Sequence, residues 1–132
     1  MVNRTGTTWD SDVAERFVQA IAEHDRAALQ VLLAGDVDFR GLTPGRFWEA
    51  DSAVDVVTIV LDHWFEESDR IEAVARLEQG EDVGDVKHVR YRFNVFNDGG
   101  PQVVEQQAYY RLTSGRVSYL RVLCSGFRPR AS

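Results

Sequence analysis

A chain of 132 residues, 44% hydrophobic and 27% charged, is long enough to bury a core and short for two ordinary domains, so a single domain over residues 1–132 is expected. Fifteen basic against 21 acidic residues give a net charge of −6, a field that opposes nucleic acid and anionic membrane surfaces as partners. The lone Cys124 excludes an internal disulfide, and with no N-terminal apolar run or spanning stretch the expected compartment is cytoplasmic.

Residues 1–10 show no period and read as a loose lead-in whose Trp9 can dock on the domain. From Ser11 to His24 the apolar positions Val13, Ala14, Phe17, Val18, Ile21 and Ala22 recur at helical spacing, with Asp12 and Glu15 near the positive helix start. Asp25 can cap a second helix, Arg26 to Ala34, stopped by Gly35. Val37 to Arg40 alternates like a short strand, Thr43-Pro44-Gly45 is a turn, and Arg46 to Glu49 is loop or short strand. Ser52 with Asp55 forms a capping pattern, after which Ala53, Val56, Val57, Val60, Leu61 and Trp64 make a third helical stripe ending near Phe65. Arg70 to Gln79 alternates Ile71, Ala73, Ala75 and Leu77 with polar residues, Val74 being the exception, and reads as a strand before the acidic loop Gly80 to Asp85.

Three more strands complete the chain: His88–Phe96, Gln102–Leu112 and Val117–Phe127, joined at Asn97–Pro101 and at Ser114-Gly115. If Ser114 and Gly115 are the loop residues, Leu112 faces Val117, and regular pairing sorts the strands into two faces. One face carries Val104, Ala108, Tyr110 and Leu112 with Val117, Tyr119 and Leu123. The other carries Glu105, Gln107, Tyr109 and Arg111 with Ser118, Leu120, Val122 and Cys124, joined by His88, Arg90 and Arg92. A slip of one residue inverts a strand in this scheme.

The order helix, helix, short strand, helix, four-stranded meander predicts an α+β fold, a curved antiparallel sheet wrapped around three N-terminal helices. From about Asp12 to Phe127 the chain resembles the nuclear transport factor 2-like superfamily, also called SnoaL-like. The residues that carry the resemblance are the paired helices flanking Asp25, the Val37-Asp38-Phe39 strand, the capped third helix, and Gly115-Arg116-Val117 leading into Leu120-Arg121-Val122. It implies a cone around a pocket and a homodimer through the outer sheet surface. The steroid isomerases of that fold use a helix-one tyrosine, a general-base aspartate and a protonated aspartate. The approximately matching positions here hold Phe17, Arg40 or Gly41, and Gln107, so the base is missing. The epoxide hydrolases need a carboxylate near Val122, and that is missing too.

Two orientations of the sheet remain open. Periodicity puts the apolar face on the helices and leaves the arginines as solvated cross-strand partners. The resemblance puts the polar face inside, where Arg90, Arg92 and Gln107 bind a polar or carboxylate-bearing small molecule, Tyr109 is the proton donor, and His88 or Glu105 the base. In that second orientation Val89, Tyr91, Phe93, Tyr110, Tyr119 and Leu123 form the homodimer interface. Trp48 and His63 are further ligand-binding candidates, weighed against roles as core and rim residues. His24 reads as a helix cap and Cys124 as a small buried hydrophobe. His24, His63 and His88 lack metal-ligand spacing and there is no phosphate-binding glycine loop, so neither metal nor cofactor is expected. The residues leave two functions open: a pocket protein acting as isomerase, lyase or hydrolase, or a non-catalytic homodimerisation or ligand-sensing module.

Overall fold

A computed structural model describes the backbone of residues 5–130 and the side chains of residues 13–130; residues 1–4 and the Trp9 side chain, part of the expected lead-in, lie outside them. The elements are α1 (Thr5–Ala22), α2 (Arg26–Leu32), β1 (Leu33–Thr43), β2 (Arg46–Ala50), α3 (Ala53–Thr58) with a wide helical turn at Ile59–Trp64, β3 (Arg70–Gln79), β4 (Lys87–Asn97), β5 (Gly100–Thr113), β6 (Arg116–Cys124) and β7 (Arg128–Pro129). Residues 5–10 are thus helical, and β1 begins directly at the end of α2 rather than after Gly35. The strands form one curved, unclosed sheet in the order β2-β1-β6-β5-β4-β3, with β7 on β5. The β1–β6 pair is parallel and the other pairs are antiparallel.

The apolar face of the sheet meets the helices. Val89, Tyr91, Phe93 and Val95 of β4, Val104, Ala108 and Tyr110 of β5, and Val117, Leu120 and Val122 of β6 are all buried. Aromatic contacts cross the layers: Phe17 of α1 lies 6.3 Å from Tyr91, Phe65 lies 5.5 Å from Phe93, and Trp64 lies 5.9 Å from Phe39 of β1. Burying each such side chain gains roughly 1.5–3 kcal/mol, whereas an unpaired guanidinium inside costs several kcal/mol. The orientation with the polar face inside is therefore corrected. Val89, Tyr91, Phe93 and Tyr110 belong to the monomer's own core and cannot serve as a dimer interface.

Bulges decide which residues of β6 and β3 point inward. The Ser114-Gly115 turn forms as expected, with φ of 54° and 81°, and Leu112 pairs with Val117. The next pair, however, is Arg111 with Tyr119, so Ser118 is an extra residue whose hydroxyl lies 2.8 Å from Thr113 Oγ1. That one residue inverts the expected faces of β6: Leu120 and Val122 turn inward, Tyr119, Arg121 and Leu123 outward. On β3 two bulges leave Ile71, Val74 and Leu77 as the residues packed on the core, so Val74, the exception to the alternation, is one of those that pack.

The third helix starts on Ser52, whose Oγ accepts from Asp55 N at 3.2 Å. It then widens, and Phe65 N bonds back five residues to Val60 O at 3.2 Å. His24, held at φ 54° between α1 and α2, closes this turn from outside: its Nε2 lies 2.6 Å from Leu61 O and 3.1 Å from Phe65 O. The expected cap is thus a cap on the third helix rather than on its own. Replacing His24 with Ala removes the donor from these carbonyls and should lower unfolding free energy by about 1–3 kcal/mol in chemical denaturation. A change within about 0.3 kcal/mol would mean that water satisfies the turn equally well.

Candidate functional site

Six of the eight expected site residues lie together on the outer face of the sheet. There His88 pairs with Tyr109, Arg90 with Gln107, and Arg92 with Glu105 across β4 and β5. The His88 and Tyr109 rings stack 4.4 Å apart, and Gln107 Oε1 accepts from Tyr109 OH at 3.3 Å and lies 2.9 Å from His88 Nε2. The latter contact requires the proton on Nε2. Arg90 forks onto Glu78 Oε1 at 2.8 and 3.2 Å and holds that carboxyl below its usual range, first through the hydrogen bond and then through charge. Arg92 bonds Glu105 at 3.0 Å with its side chain 36% exposed. These arginines are neutralised by their own neighbours on a solvated face, so the argument for a carboxylate ligand inside the cone loses its basis. Beside them a wide groove of about 900 Å³ runs along Leu42, Phe47, Leu123, Gln107 and Arg90.

Inside, the deep end of the cone is filled. The void among Val13, Phe17, Val89, Ala108, Tyr110 and Leu120 is only about 10 Å³, room for one water molecule at most. Tyr91 OH donates to Gln106 Oε1 at 2.7 Å, and Gln106 Nε2 reaches Cys124 Sγ at 3.3 Å, a buried polar chain that ends at the open end of the sheet. Burial, and secondarily the neighbouring Cys124, pushes the Tyr91 phenol well above its ordinary value. Burial likewise raises the Cys124 thiol, partly offset by hydrogen bonds from Gln106 and Gly126, which favours a neutral thiol over a nucleophile.

At that open end a cavity of about 180 Å³ remains, and it collects the other two expected residues, Trp48 and His63. Thr43 and Trp48 come from the β1–β2 hairpin, His63, Trp64 and Phe65 from the wide turn, Val104 from β5, and Cys124, Gly126 and Phe127 from the end of β6 and beyond. The walls are aromatic. Trp48 lies 5.5 Å from His63 and 6.3 Å from Trp64, and Phe65 lies 6.1 Å from Phe127. Arg46 sits 3.6 Å over the Trp48 ring, and Trp48 Nε1 donates to Thr43 Oγ1 at 2.8 Å. Gly41 makes room for Trp64: a Cβ there would lie 2.7 Å from the indole. Among the described residues no carboxylate lines this cavity and no cluster could hold a metal ion. Thr43, Phe65, Gly126 and Phe127 were not legible as site residues, because only the closing of the third helix over the β1–β2 hairpin brings them together.

No family model matches the chain, and no curated protein matches it. Solved structures do. An LEH-like epoxide hydrolase from M. tuberculosis superposes with TM-score 0.65 at 14% identity, covering 89% of this chain and 84% of that one. A ketosteroid isomerase-like protein from Erwinia carotovora atroseptica gives TM-score 0.65 at 14% identity, covering 92% and 98%. A protein from de novo design of diverse pocket structures gives 0.63 at 16%, covering 86% and 96%. The chain has the nuclear transport factor 2-like, or SnoaL-like, fold. At these identities the likeness is one of architecture, and activity must be argued from the site.

Both Tyr91 and Cys124 have folded-state pKa values above their ordinary ones of 10.0 and 9.0. Their neutral forms are favoured in the fold, so this stabilisation is complete below pH 9.0 and is lost as the unfolded chain ionises above it. Melting temperature should fall through pH 9.0–10.0 and beyond, and Tyr91→Phe should flatten the upper part of that fall. At neutral pH the same variant should cost about 1–3 kcal/mol, because Gln106 Oε1 loses its donor. An identical alkaline slope in both proteins would show that Tyr91 is not the titrating group.

Proposed function

We propose that this protein is a ligand-binding module for a small, neutral, largely apolar molecule held in the aromatic cavity at the open end of the cone. The observation that carries this reading is a cavity of about 180 Å³ walled by Trp48, Trp64, Phe65 and Phe127, with no carboxylate among the described residues that line it. That volume is below the roughly 300–1,000 Å³ of drug-sized sites but close to the ~150 Å³ that accepts a benzene-sized guest. The likeness to a ketosteroid isomerase-like protein and an epoxide hydrolase supports pocket use in general. The lining itself offers no acid and base pair: His63 is exposed, and the Cys124 thiol is favoured neutral. Ligand sensing therefore fits this cavity better than isomerase, lyase or hydrolase chemistry. Titrating single-ring compounds while following indole N–H signals by NMR should move Trp48 and Trp64 with neutral rings such as toluene or cyclohexanone. Benzoate and benzylammonium should leave them in place. Neutral rings that move neither indole up to their solubility limit would end this reading.

A second copy of the chain is proposed as the partner of the outer sheet face. Phe47, Leu42 and Leu123 are 57%, 49% and 49% exposed and lie side by side on β2, β1 and β6. They form an apolar row that continues into Gln107, Arg90 and Glu78 on the neighbouring strands. Light scattering at micromolar concentration should give a dimer mass, and Leu123→Asp should return the monomer mass without loss of helical signal. A wild-type monomer under those conditions would count against the interface.

A further inference from the structure

The β1–β2 hairpin and the end of β6 stand between the aromatic cavity and the outer apolar row. Leu42, Phe47 and Leu123 are exposed on the outer face, and the residue that follows each of them, Thr43, Trp48 and Cys124, lines the cavity. The wall is therefore one strand thick, and Thr43 and Cys124 border both the cavity and the outer groove. Beyond β6 the backbone of Gly126 lies close against the tip of the same hairpin: a Cβ there would be 2.9 Å from Pro44 Cγ. This wall is lightly held. Among the described residues β2 pairs only with β1, at the edge of the sheet, and three of its five residues are exposed. Trp48 donates to Thr43 Oγ1 at 2.8 Å and carries Arg46 at 3.6 Å over its ring, and both partners belong to the hairpin itself. Elements with few buried contacts are the ones that open locally, and a side chain bordering a cavity has fewer packed atoms to hold it.

We infer that the cavity and the outer face are coupled through this hairpin: a neutral ring bound against Trp48 fixes β2 and so strengthens association with a second copy of the chain. Dimerisation is then the response to the sensed ligand. This inference rests on the ligand-binding reading and the self-association proposed above, and adds the regulation that joins them. The sign follows from ordering. The ligand needs Thr43 and Trp48 held in place, the second copy needs Leu42 and Phe47 held in place, and these are neighbours on the same two strands. Whichever binds first orders the hairpin for the other, so the second event is the tighter one. The effect is reciprocal, and each subunit of the dimer must bind the ring more tightly than the monomer does.

The test measures the dimer dissociation constant of the wild-type protein over a dilution series, alone, with cyclohexanone, and with benzoate at the same concentration. Cyclohexanone should tighten the constant by about fivefold or more, the lower end of ordinary coupling between sites, and benzoate should leave it unchanged. In Leu123→Asp, whose association is blocked, hydrogen exchange at the Phe47 and Trp48 amides should slow when cyclohexanone is added, which separates the ligand's effect on the hairpin from the partner's. Thr43→Val removes the hydrogen bond to Trp48 inside the wall and should reduce the tightening; the wild-type series stands even if that variant fails to fold. Cyclohexanone that moves the Trp48 indole signal yet leaves the dimer constant unchanged or weaker would overturn the coupling and leave the ligand-binding reading standing. Equal tightening by benzoate, or β2 exchange unaffected by bound cyclohexanone, would overturn it in the same way. A protein that stays monomeric with cyclohexanone as without it would overturn the coupling together with the second-copy interface. Failure of cyclohexanone to bind at all would overturn the coupling together with the ligand-binding reading.

Discussion

Everything in this fold depends on one sheet face being buried under the three helices. Tyr91, Phe93, Val104, Leu120 and Val122 come from three adjacent strands, and they meet Phe17 from α1 and Phe65 from the end of the third helix. The gain is additive in area, so any register that turned Leu120 and Val122 outward would forfeit several kcal/mol at once. The extra residue at Ser118 prevents this, and its hydroxyl, 2.8 Å from Thr113 Oγ1, gives the bulge a local hydrogen bond. With the inner face committed to the core, the outer face takes the charges and pairs them strand to strand, Arg90 with Glu78, Arg92 with Glu105, Arg121 with Asp38.

The cavity is what remains where this packing ends. Large side chains fill the deep part of the cone, and the small residue at Gly41 lets Trp64 lie against β1. The wide turn at Ile59–Trp64 presents consecutive aromatic residues to the β1–β2 hairpin, while His24 holds the carbonyls that the turn leaves open. The same buried chain that satisfies Tyr91, through Gln106 to Cys124, reaches the cavity wall. That chain is the hydrogen-bonded link between the core and the cavity wall.

Much of the architecture was legible in short-range pattern. The Ser52 cap, the Ser114-Gly115 turn, the helical stripe from Ala53 to Trp64 and the α+β order all emerged with their side chains in the expected roles. The candidate site was legible only in part. His88, Gln107 and Tyr109 were recognised as a polar cluster and do touch one another, but on the outside of the sheet. Trp48 and His63 were recognised from residue type alone and sit at the cavity, whereas Phe127 and Thr43 carried no signal.

By itself the sequence determined most of the elements and the two unlike faces of β4 and β5, because helical period, alternation and turn chemistry act between residues a few positions apart. Tertiary structure decided which face was inside. That choice turns on three bulges, at Ser118 and twice on β3, and on the closing of a widened helical turn over the β1–β2 hairpin. A bulge changes side-chain parity without changing composition, and its stability comes from contacts with residues far along the chain, so alternation alone could not reveal it.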